Sequence, residues 1–154
     1  MRRALAILLV TPTVLAGLAQ AQPAPADMRT LQACLESQDG KLGLGCVGII
    51  ADPCIKSADG DLAKSRACAQ REASLWEAQL DAALKKVKRG GFKEIDRAVT
   101  KSQESWRSSL RELCPVFGRI DPGMLPGNDA YCVLQETASR ALLLRRLGEA
   151  VNEH

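Results

Sequence analysis

The sequence has little of what most enzymes need for catalysis. Only 3% of its residues are aromatic, and its single histidine, His154, is the last residue. A histidine-based triad needs an imidazole held beside a nucleophile, and a chain terminus holds a side chain poorly. The motifs H-E-x-x-H and G-x-S-x-G and the P-loop are also missing. These absences predict a protein that is not an enzyme, has no catalytic residues and uses no cofactor.

A strong excess of one charge is missing as well. The 21 basic and 18 acidic residues give a net charge of +3, well below the basic excess of a nucleic-acid-binding domain. No two cysteines form a C-x-x-C pair, which disfavours both a zinc site and a redox motif. The sequence therefore predicts neither nucleic acid as a partner nor a bound metal.

Paired carboxylates are the one catalytic alternative, because glycosidases work with two of them. Glu72 with Glu77, or Asp59 with Asp61, could supply such a pair. Acidic residues at these spacings are common on helical surfaces, so a hydrolase is the least favoured hypothesis.

The beginning of the chain has the pattern of a secretory signal. Arg2 and Arg3 precede an apolar stretch over residues 4–18, and the small-x-small sequence 19–21 follows. The stretch is shorter than the roughly 20 residues of a membrane span, and Pro12 interrupts it, which disfavours an uncleaved anchor. We expect residues 1–21 to be a signal peptide for Sec export, and the remaining chain to be periplasmic or secreted without a membrane span.

The exported part is expected to form one domain. Residues 22–29 are predicted to be a linker that includes the Pro/Ala-rich sequence QPAPA, and residues 30–154 a single helical domain. Asp27 is predicted to cap the first helix. Five glycines between residues 39 and 60, together with Pro53, predict a loop with a helical turn around residues 47–51. The glycines lack the GxGxxG order of a phosphate site.

Apolar residues recur at helical spacing in three further segments. Asp61 is predicted to open a long helix that ends at Gly90, and a second long helix covers residues 92–113. Joined by two glycines, they are expected to form an antiparallel hairpin with Trp76 and Trp106 in one core layer. Residues 115–127, rich in proline and glycine, are predicted to be a loop, and a last helix follows over about 130–151. The predicted fold is an all-α, disulfide-stapled bundle built on this hairpin.

An even number of cysteines in an exported chain indicates disulfides. We predict that Cys114 pairs with Cys132, which would close the Pro/Gly-rich loop. The other four cysteines allow three pairings; those favoured are Cys46–Cys54 and Cys34–Cys68, because the latter would tie the first helix to the hairpin.

Three motifs together resemble a known family. They are Gln103-x-x-Trp106 followed by Cys114, Glu72-x-x-x-Trp76-x-x-x-Leu80-Asp81, and Cys132 followed by Thr137-Ala138-x-Arg140-Ala141. In this order they resemble the LprI-type lysozyme inhibitor N-terminal domain of exported bacterial proteins, over roughly residues 30–147. The sequence departs from that pattern at Leu110, Asp81 and Leu84, where the family often has arginine, asparagine and tyrosine.

The resemblance implies a non-enzymatic protein that blocks the cleft of lysozyme. A preorganised loop would suit that task, and Arg119 in the Pro/Gly-rich segment is the predicted binding residue. Trp76, Gln103, Trp106, Thr137 and Arg140 are interpreted mainly as residues that build the fold. The alternative is a structural envelope module that binds another envelope protein or a glycan. A loop near Arg119 beside a concave surface would favour the inhibitor, and a flat exposed apolar patch would favour the module.

Overall fold

The protein is described here by a computed structural model covering residues 23–38, 42–120 and 128–153. These residues form five α-helices and one 3-10 turn, with no strand among them. The helices are α1 (Pro25–Ser37), α2 (Ala51–Ser57), α3 (Leu62–Arg89), α4 (Lys93–Ile120) and α5 (Asn128–Ala150), and the 3-10 turn is Leu44–Cys46. None of the helices described is long and apolar enough to cross a membrane. The predicted signal peptide lies outside the described residues.

Helix α3 has the ends that the sequence predicts. The Asp61 carboxylate accepts a hydrogen bond of 3.0 Å from the backbone N–H of Lys64, and this bond lowers the pKa of Asp61. At the other end Gly90 is the C-cap, and Gly91 follows with a left-handed φ of 77°. A residue with a Cβ would be strained at that angle, so Gly91 allows the chain to turn into α4.

Helix α1 begins earlier than predicted, within the segment assigned to the linker. Its first residue is Pro25, whose fixed φ suits the first position of a helix. Asp27 is therefore not the cap. It is buried and accepts hydrogen bonds of 2.6 and 2.7 Å from the Arg71 guanidinium, so it attaches α1 to α3. This pairing raises the pKa of Arg71.

Helix α4 continues past the point where a loop was predicted. It passes through Pro115 and ends at Ile120, so residues 115–120 are helical and the prediction of a loop there is wrong. Pro115 cannot donate to the carbonyl of Arg111, but it lies on the exposed side of α4, where water can solvate that carbonyl. The disulfide from the preceding residue, Cys114, also holds this turn against α5. The remaining loop residues, 121–127, lie outside the described part.

The closest-packed pair of helices is α3 with α5, which run parallel. Arg66 near the start of α3 pairs with Asp129 at the start of α5, and Lys86 lies 3.8 Å from Glu149 near both ends. Small residues allow the close approach: a Cβ on Gly148 would lie 3.1 Å from the Lys86 Cβ. The body of the bundle is therefore this parallel pair.

Helix α4 is the return connection and packs mainly on α5. Cys114 is bonded to Cys132, and Gln103 to Arg140, so α4 runs antiparallel to α5 and hence to α3. The predicted hairpin thus exists in direction and connection, but α3 and α4 contact each other only sparsely. Helix α5, and not the other arm of the hairpin, is the main packing partner of both α3 and α4.

The two tryptophans occupy unequal positions in the core. Trp76 is 0% exposed at the centre of the main apolar cluster, beside Leu31, Leu75 and Leu134. Trp106 is half-buried and packs against the edge of that cluster. The expectation that both share one core layer is therefore only partly met, since α4 sits on α5 rather than on α3.

All six cysteines are paired in three disulfides. Cys114–Cys132 is confirmed, whereas the other two bonds are Cys34–Cys46 and Cys54–Cys68. The favoured pairs Cys46–Cys54 and Cys34–Cys68 are wrong. Each actual bond joins successive elements: α1 to the 3-10 turn, and α2 to α3. The attachment of α1 to α3 comes instead from Asp27 and Arg71.

Removal of the Cys114–Cys132 bond is expected to cost about 3 kcal/mol of unfolding free energy, because it releases a loop of 18 residues in the unfolded chain. The double variant Cys114→Ser/Cys132→Ser, unfolded in urea under oxidising conditions, checks this value. A midpoint equal to that of the wild type would show that the bond does not hold α4 in place.

Candidate functional site

A buried carboxylate organises the segment between α1 and α3. Glu72 accepts hydrogen bonds from the backbone N–H groups of Gly48 (2.7 Å), Ile50 (2.8 Å) and Ala51 (2.7 Å). It also accepts a 3.0 Å bond from the indole N–H of Trp76. Both carboxylate oxygens are thus occupied by donors from within the chain. Glu72 fixes the turn before α2 and is not available as a catalytic acid.

The other acidic residues considered for a carboxylate pair lie apart from Glu72. Glu77, Asp59 and Asp61 are exposed or half-exposed, and none hydrogen-bonds to it. Within the described ranges, no three His, Cys, Asp or Glu residues come together as a possible metal site.

A second polar network sets α4 on α5. The Nε of Arg140 donates to the Gln103 side chain at 2.7 Å, and its Nη2 donates to the Ser102 hydroxyl at 2.8 Å. Gln103 is buried, and partial burial lowers the pKa of Arg140. A bidentate guanidinium fits only one register of the two helices. Thr137 of α5 is buried as well, and the interpretation of Gln103, Arg140 and Thr137 as residues that build the fold stays a prediction.

Helix α2 is attached to α5 through the only tyrosine of the sequence. The Tyr131 hydroxyl donates a 2.7 Å hydrogen bond to Asp52, and burial together with this carboxylate raises its pKa from 10.0 to about 12. The protonated phenol therefore stabilises the fold below pH 10.0, and this contribution is lost as the pH rises through about 12.

We expect Asp52→Asn to lower the pKa of Tyr131, because it removes the carboxylate that favours the neutral phenol. Ultraviolet absorbance of tyrosinate reports this residue alone, and circular dichroism confirms that the helices persist. Asp59→Asn is the matched control, since Asp59 is exposed. A wild-type midpoint at 10.0 would contradict the arrangement of Tyr131 and Asp52.

The C-terminal half of α4 carries four large apolar residues on its surface. Leu113, Val116, Phe117 and Ile120 are 53%, 38%, 46% and 75% exposed. Their spacing of three and four residues puts them on one face of the helix; this set is the α4 patch. Contiguous apolar surface of this kind marks an interaction site more often than scattered single residues do.

The α4 patch is exposed because α5 covers only one edge of an apolar stripe. Successive residues of a helix are about 100° apart, so Cys114 points away from Leu113 around the helix. The buried residues of α4 are Gln103 and Cys114, on the edge that meets α5. The rest of the stripe, from Leu113 to Ile120, remains free for a partner.

Arg119, the predicted binding residue, borders the α4 patch. It is exposed in the last turn of α4, three residues after Val116 and next to Ile120. It therefore belongs to a helix, whereas it was predicted to lie in a loop preorganised by proline. Its role in binding stays a prediction, and the helix now supplies the rigidity.

An apolar groove of about 480 Å³ adjoins the patch. It lies between α3, α4 and α5, with Leu110 and Val133 among its apolar residues and Arg66 and Arg111 at its rim. Leu110 is three residues before Leu113, so the groove and the patch share helix α4. Together they form a surface that could receive apolar side chains of a partner flanked by acidic groups.

The patch was not predicted from the sequence, because the helix was expected to end before Pro115. Leu110, Leu113, Phe117 and Ile120 follow the helical spacing without interruption across Pro115. That continued periodicity was the available signal.

The fold and this surface define a disulfide-stapled helical protein with an exposed apolar patch on one helix. A family model described as "Lysozyme inhibitor LprI" matches residues 54–144, more than half of the chain. The chain belongs to the LprI lysozyme inhibitor family. Comparison with curated proteins and with solved structures found no match. The matched segment includes all of α3 and α4 and therefore the α4 patch with Arg119.

Proposed function

We propose that this protein is an exported, non-enzymatic inhibitor that covers the cleft of lysozyme with the α4 patch and Arg119. Membership of the LprI family carries the proposal. Three disulfides support an extracytoplasmic location, because such bonds persist in oxidising compartments.

The surface suits a glycosidase cleft in its chemistry. Such an enzyme works with two carboxylates across its substrate site, and a guanidinium is a suitable partner for a carboxylate. Arg119 lies at the edge of the α4 patch beside Val116, three residues before it on the helix, so apolar side chains and a cation would enter together. Arginine and aromatic residues dominate the binding energy of many protein interfaces.

A lysozyme turbidity assay on cell walls tests the proposal, with the purified oxidised protein as the titrant. We expect dose-dependent inhibition that Arg119→Glu weakens by at least about tenfold, since it places a negative charge before the carboxylates. Arg97→Glu is the matched control, because Arg97 is also exposed on α4 but lies near its other end. Loss of inhibition in both variants would assign the effect to net charge alone. Absence of inhibition of several lysozyme types by the wild type would overturn the proposal.

The exposed α4 patch also favours a second candidate, an envelope module that binds another envelope protein through the same surface. An exposed apolar patch is the feature expected of the module, whereas the family match is what favours lysozyme as the partner. Cross-linking from position 117 in envelope extracts separates the two. A cross-linked envelope protein, together with no inhibition of lysozyme, would favour the module.

A further inference from the structure

A second concave surface lies on the opposite side of α3, away from the α4 patch. It is a groove of about 540 Å³ between α1, α3 and α5. Leu35, Ala83 and Leu142 are among the apolar residues that line it. Trp76 also contributes to the lining, but its ring is buried and offers no exposed face for stacking.

One end of this groove carries an excess of positive charge. Lys86, Arg89 and Arg145 line it together with Glu149, and the second carboxylate of the groove, that of Glu36, is on α1. Glu149 is 3.2 Å from the Nε of Arg145 and 3.8 Å from the Nζ of Lys86, so one acid serves two cations. Arg89 forms no ion pair with any residue of the described ranges. Three cations against one carboxylate make this end a site for an anionic group.

The other end of the groove offers hydrogen-bond acceptors. The Gln32 amide N–H donates to Glu36 at 3.1 Å, and the Gln79 amide N–H contacts the Met28 sulfur at 3.4 Å. Each amide nitrogen keeps a second N–H, and no hydrogen bond among the described residues uses the two amide oxygens. They would accept from N–H groups.

We propose that this groove binds a short peptide by its free C-terminal carboxylate. The carboxylate would lie between Arg89 and Arg145, and the preceding backbone N–H groups would donate to Gln79 and Gln32. Gln79 and Lys86 are seven residues apart on α3, roughly 10 Å along the axis. That distance corresponds to about three residues of an extended chain. Ala83 and its neighbours leave room for small side chains.

The helix dipole does not account for all of this charge. Cations in the last turn of a helix offset the partial negative charge of its carbonyls, which explains Lys86 and Arg89 at the end of α3. Arg145 lies before the last turn of α5, which contains no basic residue. Arg145 pairs instead with Glu149, four residues further along α5, and this acid is shared with Lys86.

The site extends beyond the part of the chain that defines the family. The family match covers residues 54–144, whereas Gln32, Glu36, Arg145 and Glu149 lie outside it. The groove is separate from the α4 patch, so the proposed site stands independently of lysozyme inhibition.

Isothermal titration with N-acetyl-trialanine and with its C-terminal amide tests the proposal on the oxidised protein. We expect saturable binding of the acid with a Kd of about 1 mM or lower, a range open to a ligand of this size. The amide should bind at least about tenfold more weakly, because it cannot form the charge-assisted bonds. Arg145→Gln and Arg89→Gln should each weaken binding of the acid by about tenfold, whereas Arg97→Gln on α4 should leave it unchanged.

Thermal melts would show that each variant is folded. Arg89 is exposed, so Arg89→Gln is expected to leave the fold intact. Equal binding of acid and amide would overturn the proposal. No binding of the acid at several times the expected Kd, or an equal loss with Arg97→Gln, would do the same.

Discussion

Replacement of Glu72 by alanine is expected to lower the free energy of unfolding by about 4 kcal/mol, one of the largest effects in the molecule. The substitution removes the acceptor for the backbone N–H groups of Gly48, Ile50 and Ala51 and for the Trp76 indole. A buried N–H group without an acceptor destabilises the folded state by more than an ordinary hydrogen bond stabilises it, because the loss of its hydration is no longer compensated. The turn before α2 should lose its order first.

Urea unfolding of the oxidised protein measures this loss. Glu77→Ala is the matched control, since Glu77 is exposed on the same helix and should change stability by less than about 0.5 kcal/mol. Glu72→Gln is informative as well, because it keeps the volume but places an NH₂ group among donors. If Glu72→Ala and Glu77→Ala unfold at the same urea concentration, Glu72 does not hold the turn.

Trp76→Ala is expected to cost about 4 kcal/mol, because it empties a fully buried site at the centre of the core. It also removes the indole donor to Glu72. Trp106→Ala should cost less, about 1–2 kcal/mol, since the side chain is only half-buried at the edge of the core. The sequence alone offers no reason to separate the two tryptophans, so the difference tests the packing of α4 directly.

The same urea measurement ranks the two variants. An equal or larger loss for Trp106→Ala would mean that α4 packs into the core as a full partner of α3, contrary to the structure. Trp76→Phe keeps a six-membered ring but removes the indole donor and some buried volume, so it should lie between the wild type and Trp76→Ala.

The ends of α3 could be predicted because their causes are local. Asp61 caps the backbone of Lys64, three residues away, and Gly91 supplies a left-handed turn where the helix ends. The register of α4 on α5 was also accessible, since a guanidinium on one helix needs an acceptor on its neighbour. Gln103 and Arg140, both interpreted as residues that build the fold, form this contact.

The partners of the helices could not be predicted in the same way. An apolar stripe shows that α3 and α4 each pack against something, but it does not say against which helix. The cysteine pairs have the same limit, because four cysteines fit three pairings and the choice depends on where α2 lies. Asp27 shows the reverse case: a residue suited to a local cap is used for a distant contact with Arg71.

The candidate site was found in part. Arg119 was singled out on the assumption of a proline-stiffened loop, whereas the structure places it on a helix beside the α4 patch. The patch was hidden by Pro115, whose missing N–H is tolerated on the exposed side of α4. Exposure itself, which depends on how little of α4 is covered by α5, is a property of the packing and leaves no mark in the sequence.

The affinity of the oxidised protein and of its Phe117→Glu variant for lysozyme is the measurement that tests the central claim most directly. We expect Phe117→Glu to weaken binding by at least about tenfold, since it puts a charge at the centre of the α4 patch. Leu143→Glu is the matched control: Leu143 is 47% exposed, nearly the same as Phe117, but lies on α5 outside the patch. Unchanged binding with Leu143→Glu and a clear loss with Phe117→Glu would place lysozyme on α4. Equal affinities of both variants and the wild type would contradict the account.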